Sequence, residues 1–270
     1  INTLSVIFLA AFVALWIIRN LPRPVNWAKY LQTILPLFIP LVIGAIAIGW
    51  YNWARFDSPL EFGLRYQITI YNLNKQMDLV FKPDYFLPNL YGYILQPFEF
   101  VSKFPFIQPI TGSGILNKLN MAPPYLYAAG RVTGLLFCAP FLVLSLIHLF
   151  PNRKKDLSDH AKLYNFPVYL LTVSFLISLL TLLFYFFGQM RFLVDTISQI
   201  TLLAIIGYWE LISRRQKRNS SPLKYFTGLA NLLIVATICI SFLLAFSSET
   251  SRMERLNPLL IERINNFLIK

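Results

Sequence analysis

Arg214–Phe246 reads RRQKRNSSPLKYFTGLANLLIVATICISFLLAF, five cations within eleven residues followed by twenty-two residues without a charge. Crossing the hydrocarbon core of a bilayer takes roughly 20 apolar residues at about 1.5 Å rise each. Tyr225–Phe246 supplies them. Cations held on one side of such a run mark the loop that stays in the cytoplasm. The stretch therefore predicts a membrane-spanning helix that starts at the cytoplasmic face.

The same grammar recurs toward the N-terminus. The segments Arg19 to Lys29, Arg153 to Lys162 and Arg214 to Lys224 hold twelve of the 24 basic residues, against two acidic ones, Asp156 and Asp159. Around them lie six apolar runs: Leu4 to Ile18, Leu31 to Trp50, Leu126 to Leu149, Tyr164 to Phe187, Phe192 to Ile212 and Tyr225 to Phe246. Pro36 and Pro40 predict a kink in the second. With the basic segments inside, the runs alternate consistently, and residues 51–125 and the C-terminus face outward. Trp50, Tyr51 and Trp53 fall at the outer boundary, and Trp27, Tyr30, Trp209 and Tyr225 at the inner one, as aromatic belts require. Composition agrees: 56% of the 270 residues are hydrophobic and 13% charged, with mean hydropathy +0.57, whereas soluble domains carry about 25% charged residues. The net charge of +12 follows the loops, not one surface interleaved with stacking aromatics, which argues against a nucleic-acid partner. The expected fold is all-α, an integral plasma (inner) membrane protein with about six transmembrane helices, residues 1–270 forming a single membrane domain. The opening Ile1-Asn2-Thr3 enters an apolar run without an initiator Met or charged leader, so the chain is expected to be the C-terminal portion of a longer protein.

Tyr51 to Tyr125 carries six basic and five acidic residues, but too many aromatics for a solvated loop, among them Phe81, Tyr85, Tyr91 and Phe104. Such a segment is expected to fold back onto the membrane as short helices. Ser58-Pro59-Leu60-Glu61 reads as a helix start with a capping box. Leu87-Pro88-Asn89 begins a second candidate helix, running to about Lys103, and Pro105, Pro109, Gly112, Gly114, Pro123 and Pro124 mark a turn-rich return. In the tail, 256–270, Asn257-Pro258 opens an amphipathic helix with Leu256, Leu260, Ile264, Phe267 and Leu268 on one face and Glu262, Arg263, Asn265 and Asn266 on the other. That pattern predicts an interfacial helix on the outer leaflet.

Few residues carry recognisable chemistry. Cys138 and Cys239 lie in apolar runs and read as packing residues. His148 and His160 fall at or beyond a cytoplasmic helix end without a second ligand cluster, so no metal site is read there. Thr111 to Lys118, TGSGILNK, follows no strand and matches no phosphate loop, so it reads as a turn. The informative residues are charges near the outer helix ends: Arg191 and Asp195, four apart at the start of the fifth run, and Arg131, one turn into the third. Charge in a bilayer is costly and usually has a partner or a task. Two readings stand for the pair. Asp195 neutralises Arg191 while the guanidinium snorkels, or Arg191 grips an anionic lipid headgroup bidentately. Arg55, Glu61 and Arg65 in the outer segment are candidates of the same kind, Glu61 also having a capping role.

Three stretches resemble a known family. Tyr51 to Gly63, YNWARFDSPLEFG, resembles a YNxxRFGSPxEFG segment; Asn89 to Pro97, NLYGYILQP, resembles NLYxYLFxPP; and Met190 to Asp195, MRFLVD, resembles an RYLxDxxP helix start. Together they are similar to C-type membrane glycosyltransferases related to protein O-mannosyltransferases, with Asp57 standing where Gly is usual and Ser198-Gln199 where Pro is common. The resemblance implies transfer of a sugar from a polyprenyl-phosphate-linked donor on the outer face of the membrane. Such transfer needs a cation to stabilise the departing lipid phosphate, with Arg191 the first choice here and Arg131 or Arg65 behind it. The family's catalytic carboxylates lie in a first outer loop expected upstream of Ile1, and any divalent metal would belong to that part, since no cofactor motif is visible here. A transporter or lipid flippase, or a non-catalytic membrane scaffold subunit, are the alternatives. The paired prolines of the second run have no counterpart in a second half, which disfavours a transporter of repeated halves.

Overall fold

A computed structural model of the chain describes residues 13, 27–66, 75–111, 116, 122–124, 126–149, 159–218, 221–247 and 256–268. The run Leu4 to Ile18, most of 111–118 and most of the loop 153–162 lie outside these residues. Two compact units are present, one within 12–80 and one within 81–270.

In the first unit, α1 (Trp27–Phe56) is 30 residues long and continues through both Pro36 and Pro40. Leu35, Ile39, Val42, Ile43 and Ile46 are exposed on it. The helix ends where Asp57 turns left-handed, with φ 55°, and donates its N–H to the Trp53 carbonyl at 2.9 Å. That is a C-terminal cap which glycine fills most easily. The helix expected from Ser58 does not form. Glu61 instead reaches forward, its Oε1 accepting the Gly63 N–H at 2.9 Å, while buried Asn52 donates to the Pro59 carbonyl at 3.3 Å and draws the turn back onto α1.

The second unit contains, in chain order, α2 (Phe86–Leu90), β1 (Phe98–Phe100), β2 (Ile107–Thr111), β3 (Ala128–Ala129), β4 (Arg131–Val132), α3 (Leu135–Cys138), α4 (Asp159–Leu183), β5 (Phe187–Gly188), α5 (Val194–Arg218), α6 (Ser221–Phe246) and α7 (Pro258–Leu268). Among the described residues three helical stretches are long and apolar enough to cross a membrane: Asn165–Leu183, Met190–Gln216 and Leu223–Phe246. They match the fourth, fifth and sixth runs, and the chain is a mostly helical membrane protein. Leu182, Leu183, Leu193, Ala204 and Ala230 are buried between the elements. Leu229, Leu232, Val235, Ile238 and Phe242 of α6 remain exposed, as a lipid-facing surface would be.

The third run departs from expectation. Leu126 to Leu149 is not one helix: β3 and β4 occupy its start, α3 is a single turn, and Pro140–Leu149 continues as a 3₁₀ helix. Glycine lets the backbone pass close by, since a Cβ on Gly134 would stand 2.6 Å from the Ile94 carbonyl oxygen. Pro140 lacks the N–H that would carry α3 onward. The groups left at that break are satisfied from α6: Thr237 Oγ1 accepts the Phe141 N–H and Ser241 Oγ donates to the Cys138 carbonyl, both at 3.1 Å. In a membrane such hydroxyls replace the water that a soluble break would use. The 3₁₀ segment then packs on α5, where Gly207 again admits backbone, a Cβ there lying 2.3 Å from the Leu144 oxygen.

The helix expected from Leu87 to Lys103 is also shorter. α2 widens through Tyr91–Leu95 and stops at Gln96-Pro97, after which β1 and β2 form an antiparallel hairpin with Phe98 opposite Pro109. β2 pairs on its other edge with β4, Thr111 opposite Arg131, and β3 runs parallel to β5. Two buried amides tie these pieces together. Gln96 Nε2 donates to the Ile110 (2.8 Å) and Val132 (3.2 Å) carbonyls. Asn89 Nδ2 faces the carbonyls of Leu182 (3.2 Å), Leu183 (3.2 Å) and Tyr185 (2.7 Å), and its Oδ1 accepts from the Tyr127 hydroxyl at 3.1 Å. The tail helix forms at Pro258–Leu268 as expected, but Asn265 does not sit on its polar outer face. Its Oδ1 accepts the Phe104 N–H at 2.7 Å, while Leu256, Leu259, Leu260 and Phe267 are exposed.

Two outcomes follow for thermal melting of the detergent-solubilised protein. Asn89→Leu takes the amide from the Leu183 and Tyr185 carbonyls and from the Tyr127 hydroxyl and should destabilise by about 3 kcal/mol; an unchanged melting temperature would show that the amide does not cap the helix. Asp57→Gly should stabilise by up to about 1 kcal/mol and Asp57→Val should destabilise, because only the glycine adopts the left-handed cap without strain.

Candidate functional site

Arg131 and Arg191 come from segments 60 residues apart in sequence, and the structure brings them to one cleft. Arg131 lies on β4, held by its pairing with Thr111. Arg191 lies on the 3₁₀ turn Met190–Leu193 that leads into α5. The turn is fixed at its start, where the Gln189 N–H donates to the Tyr93 hydroxyl at 3.2 Å, and at Met190, whose Sδ accepts the Thr133 N–H at 3.2 Å. The cleft holds about 470 Å³ between Arg131 and Pro109 on one side, Gln189 to Arg191 on another, and the last turn of α6 at Leu244 and Ser247. α5 enters and α6 leaves at this end, so the cleft lies at the helix ends remote from the basic stretch Arg214 to Lys224.

Among the described residues the lining contains two cations and no carboxylate. The start of α5 adds the positive end of its dipole and the close of α6 the negative end of its own. The helix ends therefore largely offset each other and the guanidiniums set the sign. Arg191 is exposed, its guanidinium carbon 5.1 Å from the Phe192 ring centre. Among the described residues Asp195 and Arg191 form no ion pair with each other, so the carboxylate does not neutralise that guanidinium. Asp195 is exposed in the first turn of α5 and outside the cleft lining. Burial raises the Tyr185 phenol above its ordinary pKa, with the Arg191 cation opposing that shift. Burial likewise pushes Tyr93 to about 12, so its hydroxyl stays neutral and the bond to Gln189 does not depend on ordinary pH.

The remaining candidates belong to the unit within 12–80. Arg55 donates to the Tyr51 hydroxyl at 2.8 Å and lies 4.9 Å from the Phe56 ring centre. Glu61 and Arg65 approach within 3.6 Å of each other, an exposed pair of the kind worth little. Sequence reasoning singled out Arg131 and Arg191, but not Gln189, Met190 or Ser247, whose side chains carry no charge to mark them. It also placed His148 at a cytoplasmic helix end, without naming partners for it. The structure instead sets His148 Nδ1 3.3 Å from Glu210 Oε2 and Nε2 3.1 Å from the Leu203 carbonyl, with Glu210 also bonded to Arg214. Glu210, an acid within an apolar run, was the signal for that cluster. Among the described residues no group of three or more His, Cys, Asp or Glu is placed to hold a metal ion.

The chain matches no family model, no curated protein and no solved structure.

An anion with an apolar body is the ligand this cleft suits, because charge-assisted bonds to guanidinium are directional and strong. Titration with dodecyl phosphate in neutral detergent should show Arg191→Gln and Arg131→Gln each weakening binding about ten-fold. Asp195→Asn should not weaken it. A loss on replacing Asp195, with none on replacing either arginine, would place the anion elsewhere.

Proposed function

We propose that the chain is the lipid-phosphate-binding part of a membrane glycosyltransferase similar to the C-type enzymes, transferring a sugar from a polyprenyl-phosphate-linked donor on the outer face of the plasma membrane. The observation that carries this reading is the shared cleft of Arg131 and Arg191, at the ends of the spanning helices opposite the basic loop. The basic loops are cytoplasmic by the charge rule, which puts the cleft on the extracytoplasmic side. The apolar face of α6, exposed at Ile238 and Phe242, leads toward the cleft and would let a long hydrocarbon chain remain in the bilayer while its headgroup reaches the cations.

The chemistry fits a leaving phosphate. When an acceptor attacks the anomeric carbon, the bond from that carbon to the phosphate oxygen breaks, and the lipid phosphate departs with one more negative charge than it carried as an ester. Two guanidiniums fixed beside that oxygen bind the departing group more strongly than the intact donor, which lowers the barrier and not merely the ground state. The acceptor must also lose a proton to a carboxylate base. In the C-type enzymes that the chain resembles, an outer loop carries that base.

In the membrane-embedded protein, Arg191→Ala should reduce sugar transfer from a polyprenyl-phosphate donor by about a hundred-fold or more, the scale of removing a charge-stabilising donor. Expression and melting temperature should hold. Normal turnover in that variant would remove the proposal.

A further inference from the structure

The two cations stand on elements with little rigidity of their own. Arg131 is on a two-residue strand and Arg191 on a four-residue 3₁₀ turn. Neither length fixes a side chain to the precision that bidentate anion recognition demands. The Thr111 pairing and the Gln96 bond to the Val132 carbonyl hold the Arg131 strand, and two further contacts outside the charged groups fix it against the Arg191 turn. Tyr93 is 1% exposed and lies off the cleft, and its hydroxyl accepts the Gln189 N–H, two residues before Arg191. Met190 Sδ accepts the N–H of fully buried Thr133, two residues after Arg131. The second contact is a direct bond between the segments that carry the two cations. Thioether sulfur is a weak acceptor, seldom given a backbone N–H when a carbonyl is within reach. Here the strand turns inward at Thr133 toward the close approach at Gly134, and the Met190 side chain meets its N–H.

We infer that Tyr93 and Met190 are positioning residues that hold Arg131 and Arg191 in register on the cleft; the inference rests on the anion-binding reading above. Tyr93 sets where the Arg191 turn begins, and Met190 sets its separation from the Arg131 strand. Neither contributes charge to the ligand.

The test is titration of the full chain with dodecyl phosphate in neutral detergent micelles, each variant measured well below its own melting temperature. Tyr93→Phe removes only the hydroxyl, and Met190→Leu removes the acceptor while keeping the bulk. Each should weaken binding about five-fold, the scale of one hydrogen bond. Met190→Gln, whose amide oxygen can take the Thr133 N–H, should retain most of the affinity. A packing role alone gives the opposite order, with Leu binding better than Gln, because an apolar residue then fills the site best. That order, or wild-type affinity in both Tyr93→Phe and Met190→Leu while Arg191→Gln is weakened, would overturn the inference and leave the anion site standing. Wild-type affinity in Arg191→Gln would remove the anion site and the inference with it. If Tyr93→Phe does not yield folded protein, the order of Leu and Gln at position 190 decides alone.

Discussion

The last carbonyls of a helix have no partner within it, and at a membrane boundary water cannot be relied on to supply one. At the end of α4 the Tyr185 N–H reaches the Leu182 carbonyl and the Lys82 N–H the Phe184 carbonyl, and one side chain does much of the rest. The Asn89 amide faces the carbonyls of Leu182, Leu183 and Tyr185, and its own oxygen is held by Tyr127. Because the helix closes there, the following residues are free to run extended. Tyr185 bridges to Phe81, Phe187–Gly188 pairs beside Ala128–Ala129, and the chain reaches Met190 in the orientation that begins α5. A Cβ on Gly188 would approach Asn89 Oδ1 to 3.1 Å, so the glycine is what lets this extended stretch lie against the cap. The strand, the turn and the cleft beyond them all depend on where α4 stops.

A different logic governs the other end of the bundle. There the 3₁₀ segment Pro140–Leu149 sinks against α5 through Gly207, and the His148, Glu210 and Arg214 side chains fill the contact with paired charge. Between the two ends, hydroxyls on α6 satisfy the backbone that the break at Pro140 leaves open. Polar side chains thus do in the membrane-spanning part what continuous helical hydrogen bonding would do in a regular helix. This allows one of the predicted spans to depart from α-helix without burying unpaired backbone at the break.

Among the described residues the cleft combines two cations, a lining without carboxylates and an adjoining apolar helix face. Single charges near a membrane boundary are ordinary, because long side chains reach the headgroups by themselves. Two guanidiniums on one concave surface, on backbone fixed by Tyr93 and Met190, are a more specific arrangement. Guanidinium geometry would make any hold on an anion there directional.

The membrane class, the three spanning helices from Tyr164 onward and the tail helix at Pro258 were legible in the sequence, because hydropathy and charge placement are local and additive along the chain. Arg131 and Arg191 could be picked out as candidates too, since charge at a helix end stands out from apolar neighbours. Their meeting on one cleft was not, because it depends on β2 pairing with β4 and on a hydroxyl and a thioether that carry no pattern. The same limit explains the misreadings. Leu126 to Leu149 is apolar enough for a helix, but Gly134 and Pro140 yield to tertiary contacts with Ile94 and α6. Asn265 looks like a surface residue until Phe104 presents an N–H to it. Composition by itself determined that this chain lives in a bilayer and roughly which residues cross it. Only the tertiary structure decided where helices stop and which charges meet, because those outcomes turn on hydrogen bonds between residues far apart in sequence.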